Sequence, residues 1–203
     1  MSVWKRSADA HATFRLTKSI KTRFLPPILI VLSFGLAALQ LHRQGRGWWC
    51  DCRSFWTSDA WGSLTSQTFL DPYSFTHLLH GFMFAGLLLL VSRKMPTSWR
   101  LCVAIALEAI WELLENTNAV IDRYREATAS LGYRGDTVMN SMGDIVCCGV
   151  GLLIARKLGW VRSLPIFIAT EIMLLFWIRD SLILEIIMLV HPFDAIKTWQ
   201  LGH

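Results

Sequence analysis

The strongest constraint on this chain is a succession of long apolar runs separated by short charged stretches, at about residues 24–42, 76–92, 98–115, 136–154 and 164–180, with a further apolar segment over 181–190. A helix needs about 20 mostly apolar residues to cross roughly 30 Å of hydrocarbon. Inside a bilayer a helix satisfies all its backbone polar groups within one segment. The pattern therefore predicts an all-α fold: a polytopic membrane helix bundle of about five transmembrane helices. A hydrophobic content of 53% over 203 residues fits one membrane domain over 24–203 better than a soluble helical protein.

The charges predict the orientation. Residues 1–23 form a basic tail, and an apolar run follows with no small-residue cleavage site after it, which reads as a signal anchor rather than a cleaved signal peptide. Counting Lys and Arg, the tail and the stretches 93–100 and 156–162 hold twelve, against seven in the opposite loops and C-terminus. The positive-inside rule then predicts a cytoplasmic N-terminus. These clustered flanking charges form no continuous basic face, so nucleic acid is excluded as a partner and membrane lipids are expected.

Residues 43–75 form a loop whose Trp48, Trp49, Trp56 and Trp61 suit the membrane interface. Its Cys50 and Cys52 have no metal or haem spacing and are read as too close for an easy mutual bridge. The last apolar stretch, 164–190, is interrupted by Arg179 and Asp180 and is expected to span as far as Asp180.

Ionisable groups within membrane helices are costly and mark functional candidates. Here three helices bring such groups to one leaflet. His77 and His80, three residues apart, share a face. Glu108, Glu112 and Glu115 fall within roughly a 60° arc over the last two turns of the third helix. Asp136, Asn140 and Asp144 step by four along the fourth, reaching about 12 Å inward. Arg123, Arg125, Arg134 and Arg179 add positive charge at the same level.

Histidines at i and i+3 facing carboxylates on other helices suit a divalent metal ion, the candidate cofactor. The expected ligands are His77, His80, Glu112 and Asp136, with Glu115 and Asp144 as catalytic bases. Arg123, Arg125, Asn140 and Arg179 are the expected substrate-binding groups, with phosphate as a natural partner of the arginines. The function expected is binding or hydrolysis of a lipid-linked or cell-envelope substrate at a periplasmic-side pocket. A different class, a structural or assembly protein whose charge network holds helices or a membrane partner in register, is the alternative. An aspartate dyad of Asp136 and Asp144 is disfavoured, because two helical turns separate the two residues.

The strings DPYSFTHLLHGF (71–82), WELLENTNAVIDRYR (111–125), GDTVMNSMGD (135–144) and IRDSL (178–182) resemble, in the same order, those of the UPF0314 or DUF2585 family of proteobacterial membrane proteins. The resemblance covers about residues 47–200 and implies an inner-membrane location with no established activity. The sequence of His, Glu-rich helix end and Asp-x-x-x-Asn is also similar, more distantly, to VanZ-like membrane proteins.

Overall fold

The computed structural model describes residues 24–202 apart from Arg53, so the expected basic tail, 1–23, lies outside the described residues. The fold is all-α. The helices are α1 (Phe24–Arg43), α2 (Ser74–Val91), α3 (Thr97–Glu115), α4 (Asn118–Ala127), α5 (Val138–Leu158), α6 (Trp160–Ile178), α7 (Leu182–Val190) and α8 (Asp194–Leu201).

Four of these, α1, α2, α5 and α6, are long and apolar enough to cross a membrane, which marks a membrane protein. The expected span over 98–115 is present as α3, whose 19 residues have the length but carry Arg100, Glu108, Glu112 and Glu115. Its buried positions include all of these except Glu115, so α3 turns its charged side chains into the bundle while Leu107, Ile110 and Leu114 face outward. Outward-facing residues such as Val161 and Phe176, 83% and 86% exposed, fit contact with lipid.

The centre of the bundle is the contact between α2 and α5, which run parallel. A Cβ on Gly81 would lie 2.0 Å from the Cys148 carbonyl oxygen, and one on Gly151 would lie 2.0 Å from that of Leu78. Only glycine allows these two backbones to approach so closely, the usual way membrane helices gain packing without a hydrophobic driving force. Antiparallel α3 then packs Ile105 and Ala109 with Ile145 of α5 and Ala37 of α1. The beginnings of α2 and α5 and the end of α3 consequently meet at one end of the bundle.

Local chemistry sets the element ends. Thr117, Thr137 and Ser181 each cap a helix by accepting from Val120 N, Asn140 N and Leu184 N, at the starts of α4, α5 and α7. Asp71 organises the entry to α2: its Oδ1 accepts from Tyr73 N at 2.8 Å and its Oδ2 from Ser66 N at 2.6 Å. At the other end, the Arg100 guanidinium binds the carbonyls of Ser92, Arg93 and Met95, closing the α2–α3 turn.

Two features depart from the sequence reading, and the last apolar stretch is resolved into two helices. The stretch between the expected helices 98–115 and 136–154 is more than a connecting loop: it contains α4, an amphipathic helix that buries Ile121 and Tyr124. The last apolar stretch is broken at Arg179, whose φ of 52° ends α6, and resumes as the separate α7. Glu171 holds that break together, accepting from Leu182 N and Ile183 N at 3.1 Å each. Cys50 and Cys52 are bonded to each other, contrary to expectation: the bend between them brings their Cα atoms to 5.0 Å, within the range a disulfide accepts. The tryptophans of this loop also do more than mark an interface, since Trp56 packs with Phe75 and Trp177 and fixes the loop against α2 and α6.

Candidate functional site

At the shared helix end lies a cavity of about 830 Å³. One side is apolar, formed by residues such as Trp61, Met83, Phe84, Leu107 and Trp111, with Leu182 and Leu189 from α7. Ile110 and Leu114 border it while remaining 55% and 51% exposed, and Ser63 and Arg134 are exposed on it too, so its rim mixes apolar and polar residues. The other side is strongly acidic. Glu108, Glu115, Asp136, Asp144, Asp180 and Glu185 line it, against His77, His80 and Arg134.

Glu108 is the hub of the histidine pair. Its Oε1 lies 2.6 Å from His77 Nδ1 and 2.9 Å from His80 Nδ1, and it is fully buried. An ionised carboxylate only accepts, so each imidazole donates from Nδ1 and leaves Nε2 as its free ring nitrogen. Carboxylates orient metal-ligating histidines in this way. His77 Nε2 in turn lies 4.0 Å from Asp144 Oδ2, whose partner oxygen accepts from Ser74 Oγ at 2.8 Å.

Glu112, one turn beyond Glu108, is 0% exposed, and neither of its carboxylate oxygens has a hydrogen-bond partner. The nearest positive group among the described ion pairs is His77, whose Nδ1 is 3.3 Å from Glu112 Oε1 but is already engaged by Glu108. Glu115 also buries an unpartnered Oε2. Asp136 is better supplied: Asn116 Nδ2 donates to its Oδ2 at 2.7 Å, the Tyr133 hydroxyl reaches both oxygens, and its own backbone N–H donates to Asn116 Oδ1.

Three sets of residues bring ligand atoms within 4.8 Å of one another: His77, His80 and Glu108; His77, Glu112 and Asp144; and Glu112, Glu115 and Asp136. The four residues expected to ligate one metal are therefore divided. His77 and His80 converge on Glu108, while Glu112 and Asp136 converge on Glu115. Of the two expected bases, Asp144 stands beside His77 and Glu115 beside Glu112.

The expected substrate-binding residues are placed differently. Asn140 borders the cavity, but its amide nitrogen donates to the Thr68 carbonyl at 2.9 Å and so holds the 43–75 loop. Arg123 donates to the carbonyls of Leu189 and Val190, Arg125 to that of Tyr133, and Arg179 to that of Trp199. None of these three arginines lines the cavity. They tie α4, α7 and α8 together around it, and the cavity-lining arginine is Arg134. Sequence reasoning placed Glu108 in the polar cluster through its four-residue step to Glu112 but not among the expected ligands. It left Asn116 out, because the role of Asn116 depends on the fold bringing it to Asp136.

Outside the helices, burial raises the Asp71 carboxyl above its usual range, opposed by the hydrogen bond from Ser66 N. Burial likewise holds the Tyr133 phenol well above its usual value, with the charge of Asp136 adding to the effect. Tyr133 therefore acts as a neutral hydrogen-bond donor to Asp136.

Residues 41–202 match the family described as a protein of unknown function, DUF2585. The chain belongs to that family. Among its relatives is a UPF0314 protein of Brucella anthropi, 40% identical over 182 residues, which are 88% of this chain and 91% of the relative. Another, from Rhizobium meliloti, is 41% identical over 85% of this chain and 90% of its own length. A third, from Sphingopyxis alaskensis, is 41% identical over 82% of this chain and 89% of its own. No solved structure matches the chain significantly.

Proposed function

We propose that this DUF2585 protein is a multi-pass inner-membrane protein in which His77, Glu112 and Asp144 hold a divalent metal ion on the periplasmic side. Glu108 fixes the imidazoles, and the adjoining cavity admits a lipid-linked or cell-envelope substrate. The observation that carries this reading is the pairing of His77 and His80 through Nδ1 to one buried carboxylate. It leaves His77 Nε2 facing Asp144, beside a Glu112 that has no other partner. An ion at that position supplies Lewis acidity and a more acidic bound water, the chemistry of metal-assisted hydrolysis.

The cavity's two-sided lining supports the substrate class. An amphiphile entering past the exposed apolar Ile110 and Leu114 meets the buried His77 and Asp144 farther in. A substrate phosphate would find the exposed Arg134 on the lining and reach the buried acids through the cation, since carboxylates alone repel it.

The test is metal content. Protein purified in detergent without chelator is expected to retain a divalent ion and to lose it in His77→Ala and Asp144→Asn, both still eluting as a single species. Release of polar headgroup from mixed lipid vesicles should depend on the same residues. Wild-type protein that takes up neither zinc nor cobalt when offered either would overturn the metal reading.

A further inference from the structure

We propose that a second divalent cation is held by Glu112, Glu115 and Asp136, with Glu112 bridging it to the ion at His77. The bridge rests on the preceding reading of the His77 site; the second site itself stands on separate observations.

The first is the state of Glu112. A fully buried carboxylate with neither oxygen bonded is costly. A cation on each oxygen satisfies both, which is what a bridging carboxylate in a helix-bundle metal site does.

The second is the convergence of Glu115 and Asp136 on the same point, with ligand oxygens of all three acids within 4.8 Å of one another. Among the described residues, no Lys or Arg forms an ion pair with any of them. Glu115 Oε2 is itself buried and unpartnered. Asp136, by contrast, is pre-set by Asn116 and Tyr133, as a ligand oriented from behind would be.

The third is the grouping of the acids. Asp136 stands two residues before the start of α5 and Asp144 six residues into it, about 9 Å along the helix from its first residue. No single set contains both of them, so the two sets that share Glu112 describe two positions. The His77 position mixes nitrogen and oxygen. The second is purely carboxylate, a ligand set suited to a hard cation, magnesium or manganese. Two such ions on one carboxylate would flank the cavity floor where a phosphoryl or ester oxygen could be held from both sides.

The experiment uses the full chain in detergent, with manganese alone as one probe and cobalt alone as the other. Free manganese is read from its solution spin-resonance signal, and cobalt bound at the nitrogen-containing site from its visible absorption. Glu115→Gln is expected to weaken manganese binding at least about tenfold while leaving the cobalt spectrum unchanged. His77→Ala should abolish the cobalt spectrum. Glu115→Gln breaks no hydrogen bond of Oε2, and elution and melting temperature matching wild type confirm its fold. Equal manganese binding by wild type and Glu115→Gln, or no manganese binding by wild type at millimolar concentration, overturns the second site. Manganese binding that depends on Glu115 without any cobalt uptake supports it and refutes the His77 reading instead.

Discussion

Replacing Glu112 with leucine separates a metal ligand from a packing residue by the sign of the stability change. In chelated protein the native side chain buries two oxygens without hydrogen bonds. Each unsatisfied buried polar group costs about 1–3 kcal/mol. Leucine is of similar volume and removes both, and the loss to set against this is the 3.3 Å approach to His77, whose Nδ1 keeps its 2.6 Å bond to Glu108. The net expectation is that Glu112→Leu is more stable than wild type in chelator by about 2 kcal/mol, or roughly 4–8 °C for a chain of this size. Saturating metal reverses the order: at a hundredfold excess over Kd a bound ion stabilises the native state by about 2.7 kcal/mol, and only wild type can gain this. The assay is thermal unfolding in detergent followed by intrinsic fluorescence, with chelator and with zinc or manganese. A Glu112→Leu protein that is less stable than wild type in chelator would refute the reasoning, because Glu112 would then be contributing to the apo bundle. A wild type whose melting temperature ignores metal would refute it equally.

Two further perturbations probe the scaffold. Gly151→Ala puts a methyl 2.0 Å from the Leu78 carbonyl oxygen, so α2 and α5 must separate; the expected loss is about 3 kcal/mol, measured by denaturation, whereas Gly35→Ala, with open space around it, should be neutral. Glu171→Leu removes the acceptor of both Leu182 N and Ile183 N and should destabilise the start of α7 by about 2–4 kcal/mol, seen as faster proteolysis near 179–181, with Glu171→Gln losing roughly half as much.

The bundle was legible in the sequence because bilayer thickness imposes a length on every spanning helix and hydrophobicity reports it directly. The gathering of His77, Glu108 and Asp144 at one end was legible for a related reason: helical rise and alternating chain direction fix each residue's depth. Depth says nothing about azimuth. Whether His77 faces Glu108 or Glu112, and whether Asp136 meets Glu115 or Asp144, depends on how α2, α3 and α5 are rotated. That rotation is set by the glycine contacts of Gly81 and Gly151 and by the Ile105, Ala109 and Ile145 cluster. The arginines illustrate the same limit. Charge and depth place Arg123, Arg125 and Arg179 beside the site, but the helix break at Arg179 and the presence of α4 turn them toward backbone carbonyls of α7, α8 and the Tyr133 loop. Thus sequence alone determined the helices, their depth and the chemical types that meet there, because those follow from local periodicity and solvent. Tertiary packing alone decided which carboxylate serves which histidine and left Glu112 without a partner, because those pairings depend on the mutual rotation of helices far apart in the chain.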